Sequence, residues 1–178
     1  DPGRAPLARI LLMMFNDVIL RVAFERGLSV IDLRLVCTEA ADYSHEIEPL
    51  ETAGGIFQAL PLLGFEPFLV VNGDIWIDYP FARLRGLTPA DPACAHLVMV
   101  GNPPQHPRGD FALDAQGWVR ELAPGASGLT YAGVGVYTRA FFAAMTPGKM
   151  PLRPLLDAAI RRGCLSAEYY PGHWEDVG

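Results

Sequence analysis

The stretch PFLVVNGDIWIDY, residues 67–79, decides the fold. An apolar run, Phe68–Val71, ends at Asn72-Gly73-Asp74, so a tight turn and a carboxylate follow it directly. A run of consecutive apolar residues predicts a strand that is covered on both faces, which is typical of a buried parallel sheet. A second run, His96–Val100, and a helical pattern over Gly54–Leu63 predict alternating strands and helices, and therefore an α/β fold.

The rest of the chain continues this alternation. Apolar residues at helical spacing predict helices, short apolar runs predict strands, and Asp114–Gly117 is typical of a hairpin turn. The predicted helices are Pro6–Gly27, Arg139–Met145 and Leu152–Arg162, and the predicted strands are Ser29–Leu33, Asp110–Leu113, Trp118–Leu122, Thr130–Tyr137 and Ser166–Tyr170.

The composition excludes several classes of function. The chain has 178 residues, of which 51% are apolar and 19% are charged, enough for one domain with a buried core. Its net charge is −6 and Lys149 is its only lysine, which argues against a nucleic-acid-binding surface. A phosphorylated substrate would have to be met by arginine, backbone amides or metal ions. The longest apolar run, Ile10–Phe15, is too short to cross a membrane.

The cysteines suggest a compartment. Cys37, Cys94 and Cys164 are odd in number, lie far apart and form no CxxC pair. This pattern predicts buried thiols in a reducing compartment, and neither a disulfide framework nor a zinc site. No signal peptide is recognisable, so the cytoplasm is the expected location.

Two aspartates are the sharpest candidates for chemistry. Asp74 follows a predicted strand at the edge where α/β sheets bind ligands, and a carboxylate there suits Mg²⁺. The alternative is that Asp74 caps the following turn. Asp176 lies in the sequence WEDVG, and its alternative is a plain surface turn. Together the two aspartates would form a pair able to hold Mg²⁺ on a phosphate substrate.

Two glycine-bearing segments could lie close to a ligand. In ETAGG, residues 51–55, paired glycines at the start of a helix would leave backbone amides open to an anion or to the edge of a planar ring. The alternative is a helix start capped by Thr52. Gly133 and Gly135 leave room beside a predicted strand, and core packing explains this equally well.

No other motif points to a reaction. The histidines match no metal-binding spacing, and His96, inside an apolar strand, is expected to be a hydrogen-bonded structural residue. No serine lies in a GxSxG or Gly-Asp-Ser block, which argues against a serine hydrolase.

Residues 50–178 resemble the sugar-phosphate nucleotidyltransferases, in particular the bacterial N-acetylmuramate-1-phosphate uridylyltransferases of peptidoglycan recycling. The resemblance implies a Rossmann-like three-layer α/β/α sandwich. It also implies transfer of a uridylyl group from UTP to a sugar 1-phosphate with release of pyrophosphate. The matching blocks are LETAGGIFQALPLLG (50–64), PFLVVNGDIWIDY (67–79), HLVMVGNPPQHPRGDF (96–111), TYAGVGVY (130–137) and YYPGHWEDVG (169–178).

The resemblance also assigns roles. It makes Asp74 and Asp176 the catalytic carboxylates and the Mg²⁺ ligands. The implied reaction is in-line attack of the sugar phosphate on the α-phosphorus of UTP, with Mg²⁺ neutralising the developing charge. The implied partners are a nucleotide and a sugar 1-phosphate, with no nucleic acid and no membrane. The implied substrate-binding residues are Glu51, Gly54, Gly55, Asn72 and Gly133.

The amino-terminal part departs from this family. The family's first strand and its glycine-rich loop, of the type GxGxR…PKP, have no counterpart here, so we expect an incomplete sandwich and weak or no turnover. Residues 1–49 are similar to the carboxyl-terminal part of SGNH/GDSL-type hydrolases, which predicts a chimera with a junction near Pro49–Leu50. In such a chimera, Val30–Leu33 would pair beside Phe68–Val71.

Two alternative functions therefore stay open. One is a non-catalytic remnant that still binds a nucleotide or a sugar phosphate. The other, less favoured, is an SGNH-type esterase, for which Asp42 and His45 are the only candidate residues.

Overall fold

The structure, a computed structural model, describes residues 50–177, in which strands and helices alternate. In chain order the elements are α1 (Glu51–Ala59), β1 (Phe68–Val71), β2 (Ile75–Ile77), a 3₁₀ helix (Phe81–Leu84), β3 (His96–Val100), β4 (Ala112–Leu113), β5 (Val119–Arg120), β6 (Thr130–Tyr137), a second 3₁₀ helix (Arg139–Phe142), α2 (Arg153–Arg162), β7 (Ser166–Tyr169) and β8 (Trp174–Asp176).

The central sheet has the strand order β1-β6-β3-β7. Strand β6 pairs antiparallel with β1 and with β3, and β3 pairs parallel with β7. The carboxyl ends of β1, β3 and β7 therefore meet the start of β6 along one side, here called the carboxyl edge. At the opposite edge β1 and β3 begin and β6 ends. Two small antiparallel ladders, β2–β8 and β4–β5, complete the described strands.

Strand β3 explains why the sheet is buried on both faces. Its side chains alternate between the faces, as the pleat of a strand requires. Leu97 and Met99 belong to the core that packs under α1 and α2, whereas Val98 and Val100 belong to the core on the other face. All four are at most 2% exposed. The prediction of a buried strand over His96–Val100 is thus confirmed.

Most other local predictions are confirmed with small shifts. The strand over Thr130–Tyr137 is as predicted, and the hairpin closes at Asp114–Gly117 between β4 and β5. Helix α2 begins one residue late and ends at Gly163, whose φ of 71° is the left-handed conformation typical of a helix stop. The helix expected over Arg139–Met145 is only a 3₁₀ helix.

Two predictions near residue 60 are wrong. Helix α1 begins at Glu51 and ends at Ala59, so it does not cover Gly54–Leu63. Strand β1 was expected to be a buried parallel strand, but its pairing within the described residues is antiparallel, and Leu69 is 42% exposed. The apolar run alone could not distinguish these arrangements, because a strand shows its neighbours' direction only through tertiary pairing.

The cysteine prediction is also wrong for two residues. Cys94 and Cys164 form a disulfide, with a Cα–Cα distance of 5.8 Å and a sequence separation of 70. The bond joins the segment before β3 to the segment before β7, which are brought together because these two strands are parallel neighbours. Spacing along the chain gave no sign of this pairing.

Several predictions concern residues outside the described part. They are the helix over Pro6–Gly27, the strand over Ser29–Leu33, the pairing of Val30–Leu33 beside β1, the thiol of Cys37, and Asp42 and His45. Within residues 50–177, no helix is long and apolar enough to span a bilayer. A cytoplasmic location stays a prediction.

Candidate active site

The β2–β8 ladder brings the main chains of the two candidate aspartates close together. Ile75 pairs with Asp176, and the N–H of Val177 donates to the main-chain oxygen of Asp74 at 2.8 Å. Asp74 and Asp176 therefore occupy adjacent positions of one ladder, although far apart in sequence, and both are exposed. Among the described residues, the carboxylate of Asp74 has no hydrogen-bond partner, which argues against the turn cap.

Asn72 and Gly133 form the join between this ladder and the sheet. The N–H of Asn72 donates to the main-chain oxygen of Gly133 at 2.8 Å. Gly133 has a φ of 74°, and a Cβ on it would lie 2.9 Å from the Asn72 side chain. A glycine is required here, because any side chain would collide with Asn72 in addition to being strained. The structure thus places two of the predicted site residues in contact.

Gly135 serves packing instead. A Cβ on Gly135 would lie 2.9 Å from the ring of Tyr137 and 3.1 Å from Leu97. Core packing, the alternative considered for both glycines of this strand, accounts for Gly135.

The amides expected to be open at the start of α1 are already used. The N–H groups of Ala53 and Gly54 both donate to the main-chain oxygen of Met150 at 3.1 Å. A Cβ on Gly54 would lie 2.5 Å from the oxygen of Gly148, so this glycine allows a loop to approach the helix. Gly55 is buried inside α1. The expectation that these glycines offer amides to a ligand is wrong for Gly54.

Thr52 does not cap the helix either. Leu50 is the N-cap residue, and no side chain caps this helix start. Glu51, the first helical residue, has a φ of 57°, a conformation that non-glycine residues adopt at a cost in free energy.

Glu51 has a partner that sequence reasoning missed. Its Oε1 lies 3.8 Å from Nζ of Lys149, and both side chains are about 40% exposed. Lys149 lies 98 positions from Glu51 along the chain, so the sequence analysis, which noted it only as the single lysine, did not connect the two. The available signal was its position in the loop directly before a predicted helix, since such loops often carry binding residues.

A cavity of about 540 Å³ lies beside Asp176. Its walls are the end of β3 with the loop after it (100–105), the end of β7 with the loop after it (169–172), and strand β8. The indole Nε1 of Trp174 donates to the main-chain oxygen of Ala132 at 2.9 Å, which fixes this wall against β6. Its size suits a small-molecule ligand.

Asn102 anchors the loop on the other side of this cavity. Its Nδ2 donates to the oxygens of Gly128 at 2.9 Å and Pro107 at 3.1 Å, and its Oδ1 accepts from the Thr130 hydroxyl at 2.9 Å. Sequence reasoning missed this residue, because its partners come from two segments, Pro107 and the stretch from Gly128 to Thr130, that only the fold brings together.

Asp78 anchors the loop after β7. Its Oδ1 accepts from the Tyr170 hydroxyl at 2.6 Å and from the N–H of His173 at 2.9 Å. The hydrogen bond to Asp78 raises the pKa of Tyr170, with burial as a further cause. Nearby, burial and a hydrogen bond to Glu168 raise the pKa of Tyr79 well above its ordinary value, so both hydroxyls stay protonated donors near neutral pH.

The donor set at this edge suits a hard cation. Asp74 and Asp176 offer carboxylate oxygens, and Asn72, next to Gly133, carries an amide oxygen.

A second group in residues 50–177, Asp91 with Cys94 and Cys164, has possible ligand atoms within 4.8 Å of one another. Its sulfurs are bonded to each other, so they are not available to a metal.

Solved structures with a similar fold are sugar nucleotidyltransferases. HddC from Yersinia pseudotuberculosis, complexed with GMP-PN, has a TM-score of 0.56 at 19% identity, covering 74% of this chain and 59% of that one. The fold is that of the sugar nucleotidyltransferases. UDP-glucose pyrophosphorylase complexed with UDP-glucose has a TM-score of 0.53 at 16% identity, covering 73% of this chain and 58% of that one.

Sequence comparison agrees with this nucleotidyltransferase fold. The chain is 45% identical over 132 residues to N-acetylmuramate alpha-1-phosphate uridylyltransferase of Neisseria meningitidis, covering 72% of this chain and 57% of that protein. It is 33% identical over 144 residues to the Caulobacter vibrioides protein of the same name, covering 74% and 58%. The chain therefore spans somewhat more than half the length of these relatives.

Two further findings concern the family profiles and residues 1–49. No protein-family profile matches the chain. The hydrolase resemblance of residues 1–49, and with it the chimera, is not supported by the comparisons. In the nucleotidyltransferase fold described here, the carboxyl edge carries Asn72, Asp74, Gly133 and Asp176, and Glu51 lies at the start of α1.

Proposed function

We propose that the chain belongs to a uridylyltransferase that converts UTP and N-acetylmuramate 1-phosphate to the UDP-sugar and pyrophosphate, in peptidoglycan recycling. The observation that carries this proposal is the adjacency of Asp74 and Asp176 on the β2–β8 ladder, at the carboxyl edge. The identity to the Neisseria relative supports the choice of nucleotide and sugar.

The two carboxylates have a defined task in this proposal. Asp74 and Asp176 would hold Mg²⁺, which supplies charge neutralisation on the phosphates when bound. Their oxygens are of the kind that Mg²⁺ prefers, and both side chains are exposed to an incoming ligand.

The rest of the edge would bind and orient the substrates. The cavity beside Asp176 has aromatic walls at Tyr169, Tyr170 and Trp174, suited to a base or a sugar ring. Asn102 and Asp78 hold its two loops by hydrogen bonds that need no ligand. A pocket that is already in place loses less conformational freedom on binding, and it holds reacting groups in line.

A binding module without turnover is the second candidate. It is favoured by the absence of a GxGxR…PKP block from the sequence, since such a loop supplies amides and cations to the transition state. Each lost contact of this kind lowers the rate by roughly 10²–10³.

Calorimetric titration of the full chain with UTP and Mg²⁺ tests the metal site. We expect Asp74→Ala to weaken Mg²⁺-dependent UTP binding at least about tenfold, because one of two metal-holding carboxylates is lost. Glu66→Ala is the matched control, since it removes an exposed carboxylate next to the start of β1, at the opposite edge. Equal affinity of parent and Asp74→Ala would contradict the proposal.

Turnover separates the two candidates. Pyrophosphate release from UTP and N-acetylmuramate 1-phosphate, absent in Asp74→Ala, would establish the transferase. Binding without release would favour the binding module.

A further inference from the structure

A phosphate at the carboxyl edge needs positive charge or free N–H groups. Helix α1 cannot offer the amides of Ala53 and Gly54, because both already donate to Met150. Arg153, at the start of α2, already has partners. Its Nε lies 2.7 Å from Asp157, and its guanidinium lies 4.4 Å from the ring centre of Phe111. Neither the two amides nor Arg153 therefore supplies the charge at this edge.

The backbone on both sides of Lys149 is fixed against α1. The N–H of Met150 donates to the oxygen of Leu50 at 3.0 Å, and its own oxygen accepts from Ala53 and Gly54. The main-chain oxygen of Gly148 lies so close to Gly54 that a side chain on Gly54 would not fit. The Lys149 backbone is therefore held in place, whereas its side chain is 41% exposed.

Two observations place Lys149 at the carboxyl edge. Helix α1 ends at the opposite edge, because Arg139, just after β6, donates to the main-chain oxygens of Leu60 and Gly64, so the start of α1 points toward the carboxyl edge. On the other side of Lys149, helix α2 begins with Arg153 over Phe111, and Phe111 bridges to Leu129, the residue before β6. The carboxyl edge is where β6 begins.

We propose that Lys149 is a phosphate-binding residue of this site. Its ammonium group binds a phosphoryl oxygen of the substrate, and Glu51 holds the ammonium group at the carboxyl edge when no substrate is bound. The ligand class is a phosphate ester, from the nucleotide or from the sugar 1-phosphate. This inference rests on the proposed function and adds a cation to it.

The ion pair with Glu51 suits such an exchange. Because the two charges are 3.8 Å apart and about 40% exposed, their attraction is screened by water and contributes little to stability, so breaking the pair costs little free energy. A phosphate carries more charge than a carboxylate, and the ammonium group is a compact charge with three rotatable donors.

Titration of the full chain in the presence of Mg²⁺ tests this inference with phosphorylated and unphosphorylated ligands. The ligands are UTP, uridine, N-acetylmuramate 1-phosphate and N-acetylmuramate. We expect Lys149→Met to weaken binding of at least one phosphorylated ligand about tenfold or more and to leave its unphosphorylated counterpart unchanged. Lys149→Arg should restore part of the loss. Arg85→Met, which removes an exposed cation after the first 3₁₀ helix, should change neither.

The arms of this experiment separate the possible failures. A loss confined to UTP assigns Lys149 to the nucleotide phosphates, and a loss confined to the sugar phosphate assigns it to the sugar. Equal losses for phosphorylated and unphosphorylated ligands, or no loss at all, would overturn the inference while Asp74→Ala still tests the proposed function. A parent chain that binds no phosphorylated ligand would overturn both.

Discussion

The carboxyl edge and the opposite edge of the sheet are built from different chemistry. The carboxyl edge carries exposed carboxylates and a cavity of about 540 Å³, which leave room for a ligand. Gly133 allows the main chain to approach Asn72 closely there. At the opposite edge, Phe68, Tyr137, Phe141 and Phe142 form a ring cluster with centroid distances of 5.0 to 6.5 Å. If the carboxyl edge binds the ligand as proposed, stability and binding are separable in this molecule, because the aromatic cluster and the proposed site lie at different ends of the same strands.

The largest effect is expected from the aromatic cluster. Phe142 is fully buried, so Phe142→Ala should lower the free energy of unfolding by about 3–5 kcal/mol in urea titrations. Affinity for UTP with Mg²⁺ should be unchanged under conditions where the variant is folded. Phe65→Ala, at a side chain that is 88% exposed, is the control and should cost far less. If folded Phe142→Ala lost affinity, the two edges would not be separable.

A medium effect is expected at Gly133. Gly133→Ala should lower the free energy of unfolding by about 1–3 kcal/mol, because the left-handed backbone is strained and the new Cβ meets Asn72. Gly125→Ala is a close control, since its φ of 77° is nearly the same and nothing lies within 4 Å of the added Cβ. Only Gly133→Ala should also weaken ligand binding, by displacing Asn72. Equal behaviour of the two variants would show that crowding at Asn72 is unimportant.

The smallest effect is expected from pH at His96. Burial lowers the pKa of His96 below its ordinary 6.5, and its Nδ1 lies 2.9 Å from the Ser166 hydroxyl. As pH falls below 6.5 the unfolded chain binds the proton first, so the free energy of unfolding should decrease until the folded pKa is reached. His96→Gln should remove this part of the slope in urea titrations at several pH values. His173→Gln, at an exposed histidine, should keep it; an unchanged slope in His96→Gln would contradict the assignment.

Local patterns predicted the elements whose identity depends on their own residues. The apolar run of β3 and the helical pattern of α2 need no distant partner to be recognised, and both elements were placed within a residue of their observed bounds. The adjacency of Asp74 and Asp176 followed only from the resemblance to a family, because a ladder between distant segments leaves no mark in spacing.

What could not be predicted depends on contacts between distant segments. The disulfide needs β3 and β7 to be parallel neighbours, and the pair of Glu51 with Lys149 needs the loop before α2 to dock on α1. The start of α1 was misplaced for the same reason. Its first amides are satisfied by Met150, so the helix begins without a capping side chain that could have marked it.

The Cys94–Cys164 bond has a mechanical consequence. It closes a covalent ring that contains β3, β6 and α2, whereas β1 before it and β8 after it lie outside. When the chain is pulled from its two ends, the disulfide carries the tension, and the residues between Cys94 and Cys164 carry none. The sequence separation of 70 corresponds to roughly 240 Å of extended chain. Pulling can extend this segment only after the disulfide has been reduced. Under load, the oxidised molecule behaves as a shorter polymer than its sequence.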